Sequence, residues 1–431
     1  LLVSDGVEDS FLEKPPAELE ATIISDAAGD NLAASLDAGL ALSFDEQAAV
    51  VIGDANHSVL EMLGNTLNEV PRVSLRESEP GGADPISRPN SPEMPKGKSS
   101  RRYQLQGELA RGGMGAIIKG RDTDLGRDLA IKVLLDSHKD KPDVIQRFVE
   151  EAQIGGQLQH PGIAPIYELG QFADQRPFFA MKLVKGQTLA KLLADRKDVD
   201  DERGKYISIF EQVCQTMAYA HSRGVIHRDL KPANVMVGAF GEVQVMDWGL
   251  AKVLQTSGAD DEVDQSQSKN VSVIETIRSG SSDTFGVDSG NGSHTRAGSV
   301  MGTPAYMPPE QAMGEIDTLD ERIDVFGLGA ILCEILTGSP PYVAESGHEI
   351  MRKAVRGDLS DCQSRLRASE AHSELIELAG ECLDADPTKR LKNAGVAADR
   401  ITSHLESVAR KLKQAEIRRK LTYVVAASLL L

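Results

Sequence analysis

The sequence predicts an α+β protein in two lobes, a β-rich lobe before a larger α-rich one, behind a largely disordered acidic tail. Three observations carry that reading. Between Tyr103 and Lys182, short apolar runs alternate with glycine and polar turn residues, as strands do. From Thr188 onward, apolar residues recur at the helical period. Residues 1–100 instead mix Asp, Glu, Ser and Pro and hold 18 acidic against 6 basic side chains, a composition too charged to bury a core. Strands first and helices after is the layout of segregated β and α layers.

Within the tail, Ala48–Leu67 is more apolar, and Val59–Leu67 has the spacing of one short amphipathic helix. Ser74–Ser100 carries five prolines, three glycines and six serines and reads as a linker. Order is expected from Tyr103. Leu105–Ala110 and Gly115–Arg121 form two strands joined by a glycine turn, and Asp128–Leu134 forms a third. Pro142–Leu158 sets Val144, Ile145, Phe148, Ala152 and Ile154 at helical spacing and ends before His160-Pro161, where a helix is disfavoured. Ile163–Gly170 and Phe178–Lys182 complete the strands of the first lobe. Ile207–Arg223, Glu321–Leu336 and Glu374–Leu383 are the clearest helices of the second. Gln255–Gly298, rich in Ser, Asp and Gly, is expected to be a mobile inserted loop.

With 431 residues, 41% of them hydrophobic, the chain is long enough for one two-lobed domain plus tails. A formal charge of −18 without any strongly basic domain excludes nucleic-acid binding through bulk electrostatics. Cys214, Cys333, Cys362 and Cys382 show neither CxxC pairing nor metal-ligand spacing and read as buried or incidental thiols of a reducing compartment. No signal peptide is visible, because Leu1–Val3 is followed at once by Asp5, Glu8 and Asp9. At the other end Arg418-Arg-Lys420 precedes the apolar-leaning Leu421–Leu431, shorter than the about 20 residues a bilayer span takes. A basic cluster directly before an apolar run is the cytoplasmic flank of a membrane helix. Residues 402–420 are therefore expected as a basic juxtamembrane helix and 421–431 as the start of a truncated transmembrane one. A buried or frayed terminal helix is the alternative.

The chemistry concentrates in Val225-Ile-His-Arg-Asp-Leu-Lys-Pro-Ala-Asn-Val235 and in Met246-Asp-Trp-Gly-Leu-Ala251. These put Asp229, Lys231 and Asn234 on one short loop and Asp247 a few residues beyond the next strand. Phosphoryl transfer from ATP needs such a set: a carboxylate to orient the attacking hydroxyl, a cation beside the moving phosphate, and oxygen ligands for Mg²⁺. A single Asp or Asn more often caps a turn, but His227-Arg-Asp-Leu-Lys-Pro-Ala-Asn234 as a whole resembles the protein-kinase catalytic loop, and Lys231 its serine/threonine branch.

The resemblance runs in order over residues 101–401, with an N-lobe at 101–181, a C-lobe at 186–401 and an activation-segment insertion at 255–298. It implies ATP and Mg²⁺ as cofactors and protein Ser/Thr hydroxyls as acceptors. In Leu109-Ala-Arg-Gly-Gly-Met-Gly-Ala-Ile117, it implies a phosphate-covering turn in which Gly112, Gly113 and Gly115 keep backbone N–H groups accessible, while Ala110 replaces the first glycine. Leu129-Ala-Ile-Lys132 resembles the strand whose lysine contacts the α- and β-phosphates, and Lys132 needs a partner in its apolar run. Glu151 is that partner by the family's Glu-Ala pair, with Glu150 the rival. Met181 falls at the gatekeeper position, backbone groups of Lys182 to Val184 would meet adenine, and Ile117 and Ala130 would pack on its ring.

The same resemblance makes Asp229 the catalytic carboxylate, Lys231 the γ-phosphate contact, and Asn234 and Asp247 the metal ligands. Trp248, the only Trp of the chain, stands where the family usually has Phe. Gly302-Thr-Pro-Ala-Tyr-Met-Pro-Pro-Glu310 resembles the close of an activation segment. Thr303 would bond Asp229 and Lys231, Glu310 would pair with Arg390, and Asp324 would brace the catalytic loop. Arg228, next to Asp229, resembles the arginine that holds an activation-loop phosphate, for which Ser293, Thr295 and Ser299 are candidate sites. The motifs look most like bacterial, planctomycete-like, membrane-anchored serine/threonine kinases. That implies a cytoplasmic kinase domain anchored at the inner membrane, with a homodimer possible for trans-autophosphorylation. A pseudokinase scaffold and a small-molecule kinase of the same fold remain as rivals.

Overall fold

Residues 87–89, 91–94, 102–254, 303–315 and 319–430 are described by the computed structural model, the side chains of 424–430 excepted. The candidate phosphosites Ser293, Thr295 and Ser299, the insertion 255–298 and residues 1–86 lie outside the described residues.

The first lobe is one five-stranded antiparallel sheet. Its strands are β1 (Tyr103–Arg111), β2 (Gly115–Asp122), β3 (Arg127–Leu134), β4 (Ile166–Gln171) and β5 (Pro177–Lys182), in the order β1-β2-β3-β5-β4. Helix α1 (Pro142–Gln157) connects β3 to β4. β3 lies at the centre of the sheet, so its two faces are buried in different cores. Leu129, Ile131 and Val133 join Tyr103, Ala116, Ile118 and Phe178 on one side. Ala130 and Leu134 face Phe148 and Ala152 of α1 on the other. Side chains alternate along a strand, so Lys132 necessarily shares the α1 face.

The strand expected at Ile163–Gly170 begins only at Ile166. Pro165 has no N–H to give a ladder; its carbonyl accepts from Lys182 N at 3.1 Å, while Ile163 makes an isolated parallel bridge to Val245. A second departure lies in the expected linker. Arg88 bridges Glu108 of β1, and Met94 packs on the sheet core.

The second lobe opens with β6 (Gly186–Thr188) and α2 (Leu189–Asp195), whose N-cap Thr188 accepts from Lys191 N. There follow α3 (Arg203–Ser222), β7 (Val225–Ile226), β8 (Val235–Gly238), β9 (Val243–Val245) and β10 (Lys252–Val253). After the undescribed insertion come α4 (Pro309–Ala312), α5 (Arg322–Thr337), α6 (Gly347–Arg356), α7 (Ser360–Ala368), α8 (Ser373–Cys382) and α9 (Ala394–Leu430). α5 is buried along most of its length at the centre of the core, with Asp324 among its buried residues; α3, α7 and α8 pack around it.

The boundaries expected at 401/402 and 420/421 fall within one helix. α9 runs unbroken through both, because nothing after Gly395 in it is Gly or Pro and its exposed positions are mostly good helix formers. Among the described residues no helix is long and apolar enough to cross a membrane.

Candidate active site

Lys132 meets Glu151 across the gap between β3 and α1. Its ammonium lies 2.5 Å from Glu151 Oε1 and 3.7 Å from Asp247 Oδ1. Burial alone would pull the ammonium down, but Glu151 and then Asp247 hold it above the usual lysine range. Glu150, the rival partner, accepts from Gln146 instead. Asp247 titrates below the usual carboxyl range. Its desolvation works against ionisation, and Lys132, His227 and Lys231 outweigh that.

The catalytic-loop residues converge between β7 and β8. Lys231 Nζ is 2.7 Å from Asp229 Oδ2 and 2.7 Å from Thr303 Oγ1. Thr303 was expected on both Asp229 and Lys231; here the ammonium stands between hydroxyl and carboxylate. Asn234 Nδ2 donates to the Asp229 carbonyl at 2.8 Å and to its Oδ2 at 3.1 Å. The Asn234 side chain is therefore fixed with its amide nitrogen inward, which leaves its oxygen turned away from Asp229.

Two residues bend sharply to achieve this. Arg228 (φ 68°) and Asp247 (φ 62°) both occupy the left-handed region that non-glycine residues rarely adopt. Such strain persists only where surrounding structure over-determines it, and at Arg228 it is Asp324 that supplies that support. Buried in α5, it accepts from His227 N at 2.7 Å, Arg228 N at 2.8 Å and His221 Nε2 at 3.0 Å. Burial opposes its charge, but these donors hold its carboxyl below the usual range. Gly327 lets α5 approach this closely, since a Cβ there would meet Leu230 Cβ at 2.7 Å.

Arg228 is buried, its Nε donating to the Leu250 carbonyl at 2.5 Å and its own carbonyl accepting from Gln311. The guanidinium thus ties the catalytic loop to the start of the activation segment. Glu310 and Arg390 form a bidentate pair at 2.6 and 2.9 Å. Arg390 is buried rather than at the surface, and also donates to the Asp384 and Arg322 carbonyls.

The glycine turn sits over the same cleft. Gly112 N donates to the Gly115 carbonyl at 2.9 Å, closing the turn between β1 and β2, and Ala110 is exposed beside it. Ala130 pairs with Met181 in the sheet, and Ile117 and Leu183 pack against the cluster containing them. Lys182 N is committed to Pro165; Val184 is buried just beyond, and Leu109 is half-buried on β1.

A sheet lobe bearing Lys132 over a helical lobe bearing Asp229, Asn234 and Asp247 is matched by the family described as protein kinase domain, over residues 103–273 and 282–404. The chain belongs to the protein kinase family. It is 31% identical to serine/threonine-protein kinase PknD of Protochlamydia amoebophila over 315 residues, which is 70% of this chain and 30% of that one. To serine/threonine-protein kinase PknB of Mycobacterium tuberculosis it is 33% identical over 309 residues, 71% of this chain and 43% of the other. To PknD of Chlamydia felis it is 31% identical over 319 residues. This kinase domain is therefore of the bacterial, eukaryotic-type serine/threonine class. The aligned part covers less than half the length of these curated relatives.

The kinase residues fit a nucleotide with Mg²⁺. Asp247 and Asn234 carry hard oxygen donors, the ligand type that suits Mg²⁺. A metal with few protein ligands is how Mg²⁺ is usually held, its other positions taken by water and phosphate.

Sequence reasoning did not find three participants. Gln311 bonds the Arg228 carbonyl, and His221 braces Asp324. His227 accepts from Asp229 N at Nδ1 and faces the Met246 carbonyl with Nε2, contacts that assign the ring hydrogen to Nε2. The Gln311 and His221 contacts are long-range and no local pattern encodes them, whereas His227 stands inside the catalytic-loop octapeptide and its bond to Asp229 N is local.

Proposed function

We propose that this kinase domain transfers the γ-phosphoryl group of ATP to Ser and Thr hydroxyls of proteins. The observation that carries the reading is the position of Lys231, 2.7 Å from both the Asp229 carboxylate and the Thr303 hydroxyl. It couples a proton acceptor to the segment expected to seat a peptide.

When bound, Mg²⁺-ATP supplies the phosphoryl group and neutralises charge on its oxygens. Asn234 and Asp247 would hold the metal. Lys132, aligned by Glu151, would hold the α- and β-phosphates, and Gly112–Gly115 would cover them. Asp229 orients the acceptor hydroxyl and takes its proton as the oxygen–phosphorus bond forms and ADP leaves. Lys231 steadies the γ-phosphate. The residues position and stabilise charge without forming a covalent intermediate.

Radiolabel transfer from ATP to generic protein substrates, with small alcohols in parallel and Asp229→Asn as control, tests this. Transfer to alcohols alone would move the reading to a small-molecule kinase, and nucleotide binding without turnover to a pseudokinase.

Two finer parts belong to the same proposal. Autophosphorylation in the activation segment, in trans between two copies, is supported by Arg228 lying between the catalytic loop and Leu250. Attachment to the cytoplasmic face of a membrane is supported by Arg418–Lys420 and the apolar residues after them sharing one helix. Flotation with anionic lipid vesicles checks the latter; failure to float with Leu421–Leu431 intact argues against it.

A further inference from the structure

Residues 87–89 and 91–94, which composition assigns to a linker, are built onto both flanks of the glycine turn. Its backbone pairs with β1, Arg88 N donating to the Glu108 carbonyl at 2.7 Å and Glu108 N to the Arg88 carbonyl at 2.9 Å. The fit is flush at Gly107, where a Cβ would meet the Arg88 carbonyl group at 2.9 Å. Ser91 donates to the buried Glu108 carboxylate.

Glu93 is the centre of this strap. Its carboxylate accepts from Arg111 Nη1 at 3.4 Å, Arg176 Nη1 at 3.2 Å and Asp136 N at 3.1 Å. Arg176 is 2% exposed and also donates to the Glu93 carbonyl, so the segment answers a buried guanidinium that needs acceptors. Arg111 directly precedes Gly112. Asp136 opens the turn after β3, where Leu135 N donates to the Met114 carbonyl at 3.1 Å and His138 Nε2 lies 3.0 Å from the Gly113 carbonyl. One carboxylate therefore grips the glycine turn from both sides.

We infer that Glu93 is a positioning residue for nucleotide binding, holding the Gly112–Gly115 turn in its phosphate-covering form through Arg111 and Asp136. The inference rests on the reading that this turn covers ATP phosphates. Three glycines make the turn entropically costly to order. A strap that orders its flanks beforehand removes part of that cost from binding. Coupling between two sites is reciprocal, so nucleotide must in turn stabilise the strap.

Hydrogen exchange on the wild-type chain, with and without saturating Mg²⁺-ADP, tests this directly. Amides of residues 87–89 and 91–94 should exchange about threefold more slowly or better with nucleotide, together with those of the glycine turn. Protection of the turn with no change in the strap would overturn the inference alone. No protection in either would remove the nucleotide reading, and the inference with it. As a second measurement, Glu93→Ala and Gly107→Ala should each weaken Mg²⁺-ADP binding about fivefold by calorimetry, with Glu93→Gln intermediate. Lower melting temperatures with unchanged nucleotide affinity would make the strap a purely structural feature and overturn the assignment. If a variant does not fold, the exchange experiment decides.

Discussion

Trp248 donates its indole N–H to the Val245 carbonyl at 3.2 Å and stands edge-on to the His227 ring, centroids 4.8 Å apart. His227 in turn touches Asp229 N and the Met246 carbonyl. The aromatic residue after the candidate metal ligand Asp247 therefore packs against the catalytic loop at His227 and is fastened to β9 by a bond that phenylalanine at this position cannot make.

Trp248→Phe should lower stability by about 1–3 kcal/mol, the cost of leaving a buried acceptor without its donor. Turnover should fall with it, because the anchored indole of Trp248 helps to hold the neighbouring Asp247 in its left-handed conformation. Thermal unfolding and steady-state kinetics check both. As the only tryptophan of the chain, Trp248 should also change its emission when Mg²⁺-nucleotide binds. Unchanged melting and turnover in the Phe variant would mean the bond is not used.

Lys132→Met and Asp247→Asn should each cut transfer at least about 100-fold, while circular dichroism remains that of the folded domain. Both side chains face the cleft and each other rather than the apolar core. Turnover like the wild type's in a folded Lys132→Met protein would rule out the assigned site.

Asp324 sets an acid limit to stability. Its folded-state pKa is lowered, so its contribution is fully present above the unfolded carboxyl value of about 3.9 and is lost as pH falls towards the lower folded value. Acid unfolding of the wild type should therefore steepen below about pH 4. Asp324→Asn should be less stable at neutral pH and show a flatter acid dependence. Parallel acid curves for the two proteins would contradict this.

Ser293, Thr295 and Ser299 test regulation by phosphate. A phosphate brings about −1.5 to −2 charges and strong acceptors, and Arg228 is the guanidinium adjacent to Asp229. After incubation with ATP, mass spectrometry should find phosphate between Ser293 and Thr303, and replacing all three residues by Ala should lower activity several-fold. Full activity in the triple variant would remove the switch.

The order of elements and the positions of the cleft residues were legible because each rests on a local pattern. Strand β3 has alternating apolar residues with Lys132 in step, and the catalytic loop is one contiguous octapeptide. The strap was not legible. Pro89, Pro92 and the charged side chains around them suggest solvated chain, and the groups that hold Glu93, namely Arg111, Asp136 N and Arg176, all lie far from it along the sequence. The start of β4 was misplaced because Pro165 acts through the Lys182 N–H of a neighbouring strand. No helix end marks positions 401 or 420, since α9 carries no breaker at either.

α9 spans 37 residues, a rod of about 55 Å at 1.5 Å per residue. Ala394, Ala397, Ala398 and Ile401 are seated in the core, whereas Leu412, Ile417, Leu421 and Tyr423 are exposed. A helix without a hinge keeps rotational phase along its length. The azimuth of Leu421 is thus geared to the seat of Ile401, and a tilt or twist imposed at one end is delivered at the other. Inserting a single residue between Leu405 and Arg418 would turn the far end by about 100°, while four would nearly restore it. Whatever that end carries is indexed to the catalytic lobe in steps of a helical turn.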